Sequence, residues 1–229
     1  MAWHIDWESK FKSCDYSDKL LEKINRFSAE ANTSVDVHLV KKAIYFAKEY
    51  HFGQFRQSGE PYYTHPLEVA GMVCDYLVDT VSIITSILHD TLEDTDLDYA
   101  TIAEHFGDLV AAQVEDLTRV KPFGKITSAD ILKQLWKEKK YNLLLIKLVD
   151  RLHNMQTIFA KSPEKQHKIV TETLQYFLAL SEILELPELT KVLYTTCYET
   201  NIKLGLIPQD ELILDKPVEF ADSLISESN

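Results

Sequence analysis

The run Ile83-Ile84-Thr85-Ser86-Ile87-Leu88-His89-Asp90-Thr91-Leu92-Glu93-Asp94 sets the hardest condition on any fold for this chain. An apolar segment that must be buried runs straight into an imidazole and three carboxylates. On a helix, His89 and Glu93 are four apart, as are Asp90 and Asp94, so all four groups crowd one side of about one and a half turns. Carboxylates that close repel one another, and burial beside an apolar run raises the cost. A divalent metal held by imidazole and carboxylate is the simplest remedy. A solvated acidic helix end is the other reading of these four residues alone.

The rest of the chain favours helices. Its 229 residues suffice for one large or two small domains with a substantial core. Glycine and proline number only 6 and 7, which argues against a turn-rich β architecture. Helical spacing of apolar residues is clear over Asp36–Tyr50, and further helices are expected over Ser17–Ala31, Thr80–Leu92, Tyr99–Phe106 and Leu109–Thr118. Asp98 reads as an N-cap and Gly107 as a stop. A long helix from Ile131, with a break before Tyr141–Met155, is followed by helices from Ser162 to Leu184 and from Pro187 to Leu204. Leu143 to Ile146 is apolar throughout and should be buried on several sides. No alternating strand pattern or repeat is visible, so the expected fold is all-α and single-domain, with many helices.

Charge and cysteines exclude several classes. A net charge of −12 makes the chain a poor general nucleic-acid binder. It does not exclude a small anionic substrate, because a metal and a few placed cations reverse the local field. The four arginines are Arg26, Arg56, Arg119 and Arg151. Three scattered cysteines, Cys14, Cys74 and Cys197, form neither a disulfide framework nor a zinc spacing, so reduced cytoplasmic thiols are the default. No signal pattern opens the chain, and no stretch reaches about 18 uninterrupted apolar residues. No membrane association is expected.

Two other places combine reactive residues with apolar surroundings. In Gly53–Pro66 a cation, a hydroxyl and a histidine bracket a tight loop, through Arg56, Ser58 and His65. Read alone, His65 is better explained by capping or the core than as a ligand. In Leu148–Met155, Asp150 directly follows an apolar run and needs a partner, with Asn154 one turn further on the same face. Lys147 or Arg151 would serve as that partner. Taken together, the three places supply His65, His89, Asp90 and Asp150 for one metal. Mixed nitrogen and oxygen ligands suit Mn²⁺, Fe²⁺ or Zn²⁺ without choosing between them. Glu93 and Asp94 are left over as candidates to orient and deprotonate an attacking water.

The ordered set HxGQxRxSGEPYxxHP, HDxxED and KLxDRLHNM, from about His51 to Met155, resembles the hydrolase domain of RelA/SpoT-type alarmone enzymes, which are HD-domain metal phosphohydrolases. The resemblance implies an HD-domain fold and Mn²⁺-dependent removal of the 3′-pyrophosphate of ppGpp and pppGpp, giving GDP or GTP. It implies His65, His89, Asp90 and Asp150 as ligands and Glu93 with Asp94 as the catalytic pair. Arg56 would stack on the guanine, with Ser58 and Asn154 contacting the nucleotide. Arg151 and His153 match the motif in a structural role.

Gln57 stands where the family often has lysine, and Gln156 where it often has arginine. Substrate contacts are therefore expected to differ, and other nucleotides such as (p)ppApp or NADPH, or a non-catalytic regulatory module, are the alternatives. Residues 1–35 read as a helical extension, 36–204 as the hydrolase domain and 205–229 as an acidic tail, resembling a stand-alone small alarmone hydrolase without synthetase. Lys121, Lys125, Lys133, Lys137, Lys139 and Lys140 read as a solvated face, with pyrophosphate binding the second option. The oligomeric state is left open.

Overall fold

The computed structural model describes residues 6–121, 124–205, 220–222 and 224, with the side chains of Lys121 and Lys125 excepted. Two compact units divide the chain, Met1–Ile126 and Thr127–Asn229. The expected acidic tail lies almost wholly outside the described residues.

Among the described residues of the first unit, eight helices follow one another: α1 (Trp7–Lys10), α2 (Asp15–Glu30), α3 (Val37–Tyr50), α4 (Thr64–Val73), α5 (Thr80–Leu88), α6 (Thr91–Asp94), α7 (Tyr99–Phe106) and α8 (Asp108–Leu117). Their starts are written locally. The carboxylates of Asp36, Asp79 and Asp98 accept from the backbone N–H of Leu39, Ser82 and Thr101 at 2.8–2.9 Å. Gly107 (φ +90°) ends α7 and opens α8, a conformation that costs glycine least. Helix α5 is the axis of this unit: every residue from Ser82 to Leu88 is buried, and it packs against α3, α4 and α8. Each fully buried isoleucine there contributes about 1.5–3 kcal/mol. The buried hydroxyls of α5 are satisfied, Ser86 donating to the Ser82 carbonyl and Thr85 to Gln113 Oε1.

The helix expected over Thr80–Leu92 is instead interrupted. Helix α5 stops at Leu88, His89 and Asp90 form a turn, and α6 restarts at Thr91. Local competition explains the break. His89 Nδ1 takes the Ser86 carbonyl and Thr91 Oγ1 takes the Leu88 carbonyl, each at 2.7 Å, so side chains occupy acceptors that main-chain N–H groups would otherwise use.

A two-residue antiparallel ribbon, β1 (Val120–Lys121) with β2 (Gly124–Lys125), closes the unit. Strands this short leave no alternation to read in a sequence. Otherwise the fold is all-α, as expected.

The second unit holds α9 (Ser128–Lys137), α10 (Tyr141–Gln156), α11 (Pro163–Glu172), α12 (Leu178–Ile183) and α13 (Pro187–Lys203). Thr127 and Asp130 form a capping box at the start of α9. The break before α10 falls at Lys139, whose φ is +55°. Leu143, Leu144, Leu145 and Ile146 are all buried, and α10 packs on α9 and α13. A wide π-turn at Thr173–Phe177 joins α11 to α12. Beside it Arg151 lies over the Phe177 ring at 4.2 Å and pairs with Glu172 at 2.9 Å. Arg151 thus ties α10 to α11, the structural role expected of it.

Candidate functional site

The loop before α4 is a small hairpin. Phe55 bridges Pro61, Arg56 N–H donates to the Glu60 carbonyl, and Tyr62 N–H donates to the Gln54 carbonyl. Gly59 (φ +101°) permits the turn. This hairpin delivers Tyr62 and, three residues on, His65 in the first turn of α4. Arg56 sits half-buried on it, whereas Gln57 and Ser58 are exposed.

His65 and His89 are both buried, with ring centroids 5.4 Å apart and one nitrogen each within 4.8 Å of the other's. Because the Ser86 carbonyl can only accept, His89 Nδ1 donates to it, and Nε2 is the nitrogen turned to Asp90. His89 Nε2 lies 3.1 Å from Asp90 Oδ1, and His65 Nε2 lies 3.6 Å from Asp90 Oδ2. Imidazole nitrogens and carboxylate oxygens gathered this closely can share a cation. The donor set, two imidazoles and a carboxylate, fits a first-row divalent metal.

Tyr62 links this cluster to Asp94. Its hydroxyl lies 3.0 Å from Asp90 Oδ2 and 2.8 Å from Asp94 Oδ2. Burial, then the two carboxylates, push the Tyr62 phenol far up, so it remains a donor. Its ring stacks on His51 with centroids 4.6 Å apart. Gln54 Nε2 donates to the Asp94 carbonyl at 2.8 Å, which leaves Oε1 to accept from His51 Nδ1 at 2.7 Å. Nε2 of the buried His51 has no hydrogen-bond partner among the described residues. Desolvation holds this imidazole below its ordinary pKa.

Two carboxylates of the acidic run, Asp90 and Asp94, meet at the Tyr62 hydroxyl, and the third, Glu93, has a different partner. Asp94 turns to Tyr62 at the solvent-exposed rim, and desolvation followed by the Asp90 charge pushes its carboxyl up. Glu93 turns to Arg119, accepting from its backbone N–H at 3.1 Å and its guanidinium at 3.3 Å. The remedy for charge at Glu93 is therefore an arginine.

In the second unit, Asp150 is half-buried and has one carboxylate oxygen to offer a metal. Asn154 Nδ2 donates to Asp150 Oδ1 at 2.7 Å, and Lys147 lies 3.8 Å from Oδ2. His153 is buried. Lys137 and Lys139 are exposed, in keeping with a solvated face, and Lys133 lies over the Phe220 ring. Lys121 and Lys125 fall outside the described side chains.

Tyr62, His51, Gln54 and Arg119 were not singled out from the sequence. The first three lie inside the hairpin motif, and their spacing to His65 was the only signal. Nothing local links Arg119 to Glu93.

Residues 43–184 match the family model described as HD domain. Among curated relatives, the chain is 38% identical over 157 residues to a GTP pyrophosphokinase of Myxococcus xanthus, covering 64% of this chain and 20% of the relative. It is 35% identical over 169 residues to the GTP pyrophosphokinase rsh of Brucella abortus, covering 71% and 22%. To the putative GTP diphosphokinase RSH1, chloroplastic, of Arabidopsis thaliana it is 37% identical over 163 residues, covering 65% and 18%. The match thus spans about a fifth of the length of these relatives. A solved structure described as a metazoan ortholog of SpoT that hydrolyzes ppGpp and plays a role in starvation responses superposes with a TM-score of 0.52 at 18% identity, over 83% of this chain and 96% of that one. At that identity the likeness shows a shared fold. No helix among the described residues is long and apolar enough to cross a membrane.

Proposed function

The chain belongs to the HD-domain family, and from that premise we propose that it is a metal-dependent 3′-pyrophosphohydrolase of (p)ppGpp, of the RelA/SpoT type. The observation that carries this reading is the His65–His89–Asp90 cluster, with His89 Nδ1 on the Ser86 carbonyl so that Nε2 faces a carboxylate. His65, His89, Asp90 and Asp150 would hold the metal, with Mn²⁺ the ion implied by the family resemblance. Asn154 and Lys147 restrain Asp150, as partners of ligating carboxylates commonly do. When bound, such an ion polarises a phosphoryl oxygen and lowers the pKa of water.

The chain's own groups divide the remaining work. Asp94, reached by solvent and with raised proton affinity, accepts the proton of the attacking water. Glu93 is held by Arg119 and orients that water. Water adds to the phosphorus bonded to the 3′-oxygen, the bond to that oxygen breaks, and the 3′-hydroxyl takes a proton. Products are GDP or GTP and pyrophosphate. Arg56 offers a planar cation for the base, and Ser58 and Asn154 offer polar contacts to the nucleotide. The proposed setting is cytoplasmic, with a small-molecule nucleotide as the partner.

Incubation with ppGpp, with and without Mn²⁺, followed by resolution of nucleotide products, tests the reading. Manganese-dependent release of GDP and pyrophosphate is expected. Intact ppGpp alongside hydrolysed ppApp or NADPH would keep the metal chemistry and overturn the substrate.

A further inference from the structure

Resting on that reading of the site, we propose that Tyr62 is a positioning residue that couples the metal ligand Asp90 to the base Asp94 through its single hydroxyl proton. One phenolic proton faces two carboxylate oxygens, Asp90 Oδ2 at 3.0 Å and Asp94 Oδ2 at 2.8 Å. A hydroxyl has one hydrogen to donate, so it cannot serve both acceptors fully at once. A cation on Asp90 compensates that carboxylate and leaves the proton to Asp94. Asp94 then has one oxygen held and the other directed to water. In this way occupancy of the metal site sets the orientation of the base.

The surroundings leave Tyr62 little freedom. Its backbone N–H is bonded to the Gln54 carbonyl at 3.0 Å, its ring stacks on buried His51, and its edge meets His65 at 6.2 Å. His51 is fixed in turn by Gln54, whose amide also holds the main-chain carbonyl of Asp94. The hydroxyl and the backbone of Asp94 are therefore held by one connected set of residues, on the end of α3, the hairpin and the end of α6. Such a network acts as a unit, and its members should not behave additively.

Tyr62→Phe keeps the ring and the stack on His51 and removes only the hydroxyl. Two measurements are needed. The first is Mn²⁺ titration of the metal-free protein by calorimetry, which requires no substrate. Because a cation has to displace this donor from Asp90, Tyr62→Phe should tighten binding by about 3-fold, the scale of one hydrogen bond. The second is steady-state hydrolysis of ppGpp by the unsubstituted chain, Tyr62→Phe, Asp94→Asn and the double variant. Tyr62→Phe should lower kcat by about 10-fold and leave KM within about twofold, because the hydroxyl orients the base and touches no substrate. In the Asp94→Asn background the same change should cost no more than about twofold.

A residue that merely supported the fold would cost the same in both backgrounds, so equal costs overturn the proposal. A rise in KM at constant kcat also overturns it, since Tyr62 would then touch substrate. If the unsubstituted chain binds Mn²⁺ but hydrolyses no ppGpp, the substrate reading fails and the titration alone decides: unchanged affinity in Tyr62→Phe overturns the coupling. If it binds no Mn²⁺, the metal reading and this proposal fall together.

Discussion

Glu93 places both carboxylate oxygens on Arg119, one on its backbone N–H and one on its guanidinium. The two residues are 26 positions apart, and the contact fixes one member of the acidic run to the approach of the β1–β2 ribbon. Glu93 is thereby held on Arg119 and Asp94 on Tyr62, so the two adjacent acids occupy different environments. Environments that push two carboxylates apart commonly separate their roles.

Arg119→Met should lower kcat for ppGpp several-fold while changing stability by less than about 1 kcal/mol, because the guanidinium is partly solvated and exposed pairs contribute little. Steady-state kinetics beside thermal denaturation checks this. Unchanged turnover would remove Arg119 from the positioning of Glu93.

Asp150→Ala should lose bound metal, since open coordination does not replace a carboxylate. His153→Ala removes a buried side chain instead, so it should lower Tm and leave the metal in place. Metal content of the two purified variants separates a ligand from a packing residue. Full occupancy in Asp150→Ala would mean that the ligand set is wrong.

Asp94→Asn keeps an acceptor for Tyr62 and removes the base, so activity should fall by about 10² or more. Its effect on stability has the opposite sign. The Asp94 carboxyl is raised above its ordinary 3.8, so its contribution is fully present below pH 3.8 and is lost as pH rises through the folded value. At neutral pH the charged group therefore costs the metal-free fold stability, and Asp94→Asn should raise Tm. Chelated protein scanned across pH provides the measurement, and a lower Tm at pH 7 would contradict the assignment.

His51 carries the reverse sign. Its pKa is depressed below 6.5, so its contribution is present above that pH and is lost as pH falls through the folded value. Replacing it with Asn should flatten this acid-side loss of Tm in the metal-free protein. An unaltered pH slope would show that His51 is not the group responsible.

Arg56→Lys should raise KM for ppGpp more than it lowers kcat, because stacking on a remote base is felt in ground and transition states alike. Gln57→Lys, at an exposed position beside it, should keep activity and tighten binding by adding a cation near an anion. Kinetics of both variants on ppGpp and ppApp settle the point. Silence of Arg56→Lys on both substrates would mean that the base is held elsewhere.

The sequence by itself determined what depends on neighbours along the chain. Asp36, Asp79 and Asp98 cap the helices that follow them, Gly107 stops α7, and the apolar run of Leu143–Ile146 is buried, because caps and periodic burial are written within a few residues. The three motif segments and the all-α class were legible for the same reason. Tertiary structure alone decided how the acidic run is neutralised. Helical spacing drew His89, Asp90, Glu93 and Asp94 onto one face, but side-chain donors at His89 and Thr91 took main-chain acceptors and ended α5 at Leu88. Glu93 then met Arg119, and Asp94 met Tyr62 from a hairpin 32 residues earlier. A charge's partner is chosen by distance in space, and no local pattern in the chain encodes which distant donor the packed core will bring to it.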